Sequence, residues 1–156
     1  MLATKLKAIA HSENRKQYFS ASTLNDMNEI EESVSQMNGT ILIAMDSCNS
    51  SFLFPDSDSL LEVPEYSFVI LTQTNKSENE NAVEHSQLAC KRLAKQIIAR
   101  MLQDANRYKH GLQYIKGSSF KIEGIGPISD NFYGVELSFL FEKPENYTIN
   151  SEMWEE

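Results

Sequence analysis

Cysteine is nearly missing from this 156-residue chain, which has only Cys48 and Cys90. Two cysteines placed so far apart give neither metal-ligand spacing nor a disulfide framework, and each reads as a small buried thiol. Long apolar runs are missing too. No stretch reaches the roughly 18 residues of a membrane-crossing helix, so no membrane partner is expected. The first residues, MLATKLKAIAHSENRK, lack the apolar core and cleavage site of a secretory signal, so a cytoplasmic protein is expected. Zinc motifs of the HExxH or CxxC type are not found. His11, His85 and His110 fall on separate elements without a ligand-spaced partner and read as surface residues. Asp58, Glu62 and Glu65 lack the spacing of a calcium loop. Gly124 and Gly126, in GIGP, do not lie between a strand and a helix start. They loosen the backbone at a hairpin turn and do not cradle phosphate. No metal and no cofactor is therefore expected.

Basic charge is scarce and unevenly spread. The net charge is −8, from 14 Lys and Arg against 22 Asp and Glu. Residues 18–81 carry eleven acidic side chains against one lysine, whereas residues 82–108 carry five basic against two acidic. Nucleic-acid binding would need basic residues gathered on one face of a basic domain, so no sequence-specific nucleic-acid partner is expected. A charge-complementary contact between the basic stretch and an acidic face, within or between subunits, fits the distribution.

What the chain does have is one long amphipathic stretch, Asn81 to His110. Ala89, Cys90, Leu93, Ala94, Ile97, Ile98, Met101, Leu102, Ala105 and Tyr108 fall in one broad arc of a helical wheel. An arc this wide predicts a helix laid on a sheet. Asn81 and Glu84 resemble a capping box, and His110 with Gly111 marks the stop. The opposite side carries Arg92, Lys95, Gln96, Gln103 and Arg107, the candidate subunit contact.

Short strand-like runs lie on both sides. Leu2, Leu6 and Ile9 predict a helix over about 2–11, with Tyr18 and Phe19 anchoring it. Thr23 caps a second helix through Leu24, Met27, Ile30 and Val34, ended by Asn38-Gly39. TILIAMD (residues 40–46) reads as a strand buried on both faces. Ser51 to Phe54 is a shorter strand ended by Pro55, and PDSDS is a surface loop. Pro64 limits what precedes YSFVILTQ (66–73), a central strand with Tyr66, Phe68 and Ile70 on one face and Val69 and Leu71 on the other. Leu112 to Ile115 starts a strand. Residues 119–125 and 132–142 alternate and predict an antiparallel hairpin. The fold class is α+β: a mixed, mainly antiparallel sheet covered by one long helix, with short N-terminal helices. One domain over 1–143 precedes an acidic tail, 144–156, in which Trp154 is frayed or docks on a partner.

A nucleophile could be sought at Ser47 or Cys48, beside Asp46 in DSCNS. Catalysis would also need an oriented base, which nothing in the sequence places there. A polar turn after a buried strand accounts for these residues, and no enzyme is expected.

The order of elements carries a resemblance. An N-terminal helix, strands including YSFVILTQ, a polar gap, AVEHSQLACKRLAKQIIARML and a strand pair closing on NFYGVELSFLF follow one another. This resembles the tail-terminator and tail-completion proteins of tailed phages and prophages, over about residues 17–142. The final strand of that family often opens as Tyr133-Gly134-Val135-Glu136-Leu137 does here. The proline that often introduces an early strand in the family is missing before Thr40. The resemblance implies a non-catalytic structural protein that forms a ring, often a hexamer, at the head-tail junction. Its partners would be itself, the tail tube and the head connector, in the host cytoplasm or on the virion. Loops 55–65 and 74–81 would be contact candidates, and an acidic lumen would repel passing DNA. A generic acidic α+β adaptor or immunity-type domain, whose 18–81 region meets a basic partner, is the alternative.

Overall fold

The longest strand of the molecule runs straight through a proline. The computed structural model describes residues 17–22, 31, 34, 39–46, 49–56, 58–75, 81–109, 111–146, 148 and 153. In chain order the named elements are β1 (Gln17–Ser22), β2 (Thr40–Asp46), β3 (Ser50–Asp56), β4 (Ser59–Gln73), α1 (Ala82–Ala105), β5 (Lys121–Ile128), β6 (Phe132–Leu140) and β7 (Lys143–Glu145). The sheet order is β1-β2-β4-β6-β5, with β3 and β7 added on either side of the first part of β4. Among the described residues only β1 and β2 are parallel, and every other pair is antiparallel. The expected α+β fold, with a mainly antiparallel sheet under one long helix, is the one observed.

β4 is the spine. Along one edge, pairing runs from Gln73↔Phe132 to Glu65↔Leu140, then on to Glu62↔Lys143 and Leu60↔Glu145 without a shift. Along the other edge it slips between Met45↔Ser67 and Ser50↔Pro64, where the chain passes from β2 to β3. Pro64 was expected to limit the strand, but it lies inside it. Neighbouring residues of a strand aim their polar groups at opposite edges. The Phe141 N–H donates to the Pro64 carbonyl (3.1 Å), so the missing donor of Pro64 faces the same edge and removes one ladder bond. On the next residue, the Glu65 N–H donates to the Asn49 carbonyl (3.0 Å), which holds β3 to the opposite edge.

Alternation along these strands builds two cores. Leu42, Ala44, Phe68, Ile70, Val135, Leu137, Phe139 and Phe141 face α1, which contributes Cys90, Ala94, Ile97 and Met101. Ile41, Ile43, Leu71 and Phe132 face the other way, packed with Val34. β2 is thus buried on both faces, as its unbroken apolar run predicts. At the arm end of the first core, Phe139 lies within 6.1 Å, centroid to centroid, of Tyr66, Phe68, Phe120 and Phe141. Such aromatic pairs add to the burial that each ring contributes.

α1 contains no glycine or proline and is rich in Ala, Leu, Lys, Gln and Arg, all strong helix formers. Its buried stripe is narrower than the predicted arc: Ala89, Leu102 and Tyr108 are exposed. Asp104 takes a buried place instead, 1% exposed, with its Oδ2 accepting from the Arg100 Nε at 3.1 Å. The expected capping box does not form, because Asn81 makes no side-chain cap hydrogen bond. The stop also comes earlier than His110-Gly111. Tyr108 takes the left-handed conformation (φ 52°), the Tyr108 N–H donates to the Ala105 carbonyl and the Lys109 N–H to the Asp104 carbonyl. These are the two bonds of a Schellman ending, which requires left-handed backbone whatever residue supplies it.

Other expectations need correction. Gln17–Ser22 is a strand parallel to β2, where only an anchoring stretch was foreseen. Leu112–Tyr114 is a 3-10 turn, and Ile115 makes a single bridge to Phe141. The sheet runs to Glu145, two residues into the stretch expected to be an acidic tail. The helix foreseen over 2–11 lies outside the described residues. Of the second helix only Glu31 and Val34 are described, and both are helical.

Two substitutions test this packing in opposite directions. A Cβ on Gly134 would stand 1.8 Å from the Ile70 carbonyl oxygen, so no rotamer relieves the clash. Gly134→Ala is expected to cost about 3 kcal/mol, read as a lower denaturant midpoint. Tyr108 is 81% exposed and packs on little, so Tyr108→Gly is expected to raise stability by about 1 kcal/mol, seen as a higher Tm.

Candidate protein-contact surfaces

β3, the first part of β4 and β7 leave the main sheet as a three-stranded arm. From Glu65 to its tip the arm extends about 20 Å at the usual rise of a strand. Cross-strand rows set its faces: Phe52, Glu62 and Lys143 stand in one row, and Leu53, Leu61 and Pro144 in the next. No helix or second sheet covers this part among the described residues. Every residue of β3 is exposed, including Phe52 (55%) and Phe54 (70%). Among the described residues β3 pairs only with β4, which leaves its outer edge without a strand partner there.

The arm is held by short polar contacts. The Ser50 hydroxyl donates to Glu62 Oε1 (2.6 Å). At the tip, Asp56 Oδ1 accepts from the Asp58 N–H (3.0 Å) and the Ser59 hydroxyl (2.7 Å). Those bonds favour the charged carboxylate, the Ser59 hydroxyl most, and hold Asp56 below the ordinary carboxylate value. At the root, the Lys143 ammonium lies over the Tyr66 and Phe141 rings, 5.7 and 5.5 Å from their centroids. That contact draws the one basic side chain of the arm back towards the body. The outer arm is left acidic, with Asp56, Asp58, Glu62 and Glu145.

The second surface is the outer side of α1. Arg92, Lys95, Gln96 and Gln103 are all exposed there, and Arg107 is exposed in the closing turn, where its N–H donates to the Asp104 carbonyl. Helical spacing sets Arg92, Gln96, Gln103 and Arg107 in one row and Leu88, Lys95 and Leu102 in another beside it. Leu88 and Leu102 are exposed, so apolar side chains stand among the basic ones. Sequence patterning assigned Leu102 to the core and overlooked Leu88.

Of the other candidates, His85 is exposed and Gly126 lies in the bulge that ends β5 (φ 121°), as its hairpin role requires. Ser47, Cys48, His11 and His110 lie outside the described residues, as does the side chain of Asp46. Among the described residues no three His, Cys, Asp or Glu gather as a cation site, and no helix is long and apolar enough to cross a membrane. The 55–65 segment, expected as a loop, is the strand hairpin of the arm. Its apolar edge was missed, although a proline inside a strand-like run (Pro55) is a mark of an edge strand. No protein-family model matches the chain, and no curated protein matches it.

The tip turn gives a pH test. With its pKa lowered on folding, Asp56 stabilises the turn above the unfolded value, and this is lost as pH falls through the folded one. An NMR titration of the Asp58 amide is expected to show a midpoint below 3.8. In Asp56→Ala that titration step should vanish.

Proposed function

We propose that this chain is a non-catalytic structural protein that assembles with copies of itself into a ring. In this reading it is a tail-terminator-like or neck protein of a tailed phage or prophage, acting at the head-tail junction. It contacts the tail tube and the head connector, in the host cytoplasm or on the virion. The observation that carries the assembly part is the arm, a projecting hairpin with exposed Phe52, Leu53 and Phe54 and, among the described residues, no strand on the outer edge of β3. Large apolar side chains exposed together among charged ones mark a protein-contact site. The phage part rests on the resemblance in element order. An acidic adaptor or immunity-type domain is the second reading, favoured by the acid excess of the same arm.

Light scattering on the full chain, with electron microscopy of the chain alone and mixed with tail tubes, tests the first reading. Ring particles of several copies are the expected result. A chain that stays monomeric at millimolar concentration and leaves tubes undecorated would overturn it in favour of the adaptor.

A further inference from the structure

We infer that the arm of one copy docks on the outer face of α1 in the next. This rests on the ring reading and names the two surfaces that would join. The two patches complement each other in charge. The outer arm presents Asp58, Glu62 and Glu145, while the helix presents Arg92 and Lys95 beside Arg107. They also match in apolar content, since Phe52 and Phe54 stand exposed on the arm and Leu88 and Leu102 on the helix. Among the described residues no other element packs on the outer side of α1, which meets β4, β5 and β6 with its opposite side.

Geometry favours a head-to-tail contact. The arm extends from the first part of β4, whereas the basic rows lie on the solvent side of the helix layer, so they are different patches of one surface. A contact between two different patches repeats from copy to copy and closes into a ring when the rotation permits. Two arms pairing edge to edge would instead give a closed dimer and bring like charges together, which charge repulsion opposes.

Charge exchange between two full-length variants tests this. Asp58→Lys with Glu145→Lys reverses the arm, and Arg92→Glu with Lys95→Glu reverses the helix. All four positions are exposed, so thermal unfolding of each variant is expected to match the parent. In sedimentation, each variant alone is expected to self-associate at least about tenfold more weakly than the parent. An equimolar mixture should recover assembly, because each reversed arm then meets a reversed helix and each original arm an original helix. Phe54→Ser should weaken assembly without charge change. If the parent forms rings and either variant alone assembles as well as it, or the mixture fails to recover, the arm-helix contact is wrong and the ring reading survives. If the parent stays monomeric throughout and leaves tail tubes undecorated, both fall.

Discussion

One strand serves two sub-sheets, and the rest of the molecule depends on how its edges are satisfied. A backbone polar group buried without a partner costs as much as a lost hydrogen bond, so a 15-residue strand needs neighbours on both sides along its length. β4 obtains them from four strands. The β6–β7 side holds a single register throughout, and the β2–β3 side shifts register between Met45↔Ser67 and Ser50↔Pro64. Pro64 sits where the two parts meet, so its missing donor removes one bond of a ladder that is already changing partners. The 114–116 segment adds support at that level, with the Glu142 N–H donating to the Tyr114 carbonyl and the Lys116 N–H to the Leu140 carbonyl. Gly134 is the counterpart at the other end, where the backbones of β4 and β6 approach too closely for any side chain.

Beyond Pro64 the backbone is still paired, but among the described residues no layer packs on it. In the main sheet α1 covers one face, and Val34 packs into the core on the other. Among the described residues no layer covers the arm, and the apolar residues of β3 are exposed. Lys143 and the rings of Tyr66 and Phe141 fasten the root to the aromatic cluster, and the Asp56 turn closes the tip. The arm is therefore a supported projection, and its side chains are presented on a frame that folding has already ordered. Binding through such a surface forfeits less conformational entropy than binding through a loop.

Periodicity made the main body legible. β2, the two faces of residues 66–73, the β5–β6 hairpin and the inward stripe of α1 through Cys90, Ala94, Ile97 and Met101 all follow from alternation or helical spacing. What periodicity could not show was context. Pro64 reads as a breaker unless one knows which edge its nitrogen faces. Leu102 and Tyr108 fit the apolar arc by angle, yet the sheet beneath them is narrower than the arc. Asp104 reads as a polar interruption, yet the last turn of the helix buries it. β1 has no alternation to reveal it and is recruited by the edge of β2. The basic row of the helix was legible as an exposed face, while the arm was not, because FLF in a strand-length run looks the same whether or not a layer covers it.

The chemistry of the arm edge narrows how it can recognise anything. An open strand edge invites backbone pairing with another chain, and proteins blunt such edges with proline, bulges and charge. β3 carries these devices: Pro55 lies within it, its register breaks between Leu53 and Asp56, and acidic residues ring its tip. Regular pairing is thereby confined to the short run from Ser50 to Leu53. Its phenyl groups are not blunted in the same way, since Phe52 and Phe54 still point into solvent. A surface that discourages backbone addition but keeps large apolar side chains suits recognition by side chains seated between those of a partner helix. The acidic rim then selects a basic helix over an acidic one, and α1 presents such a face on the same chain.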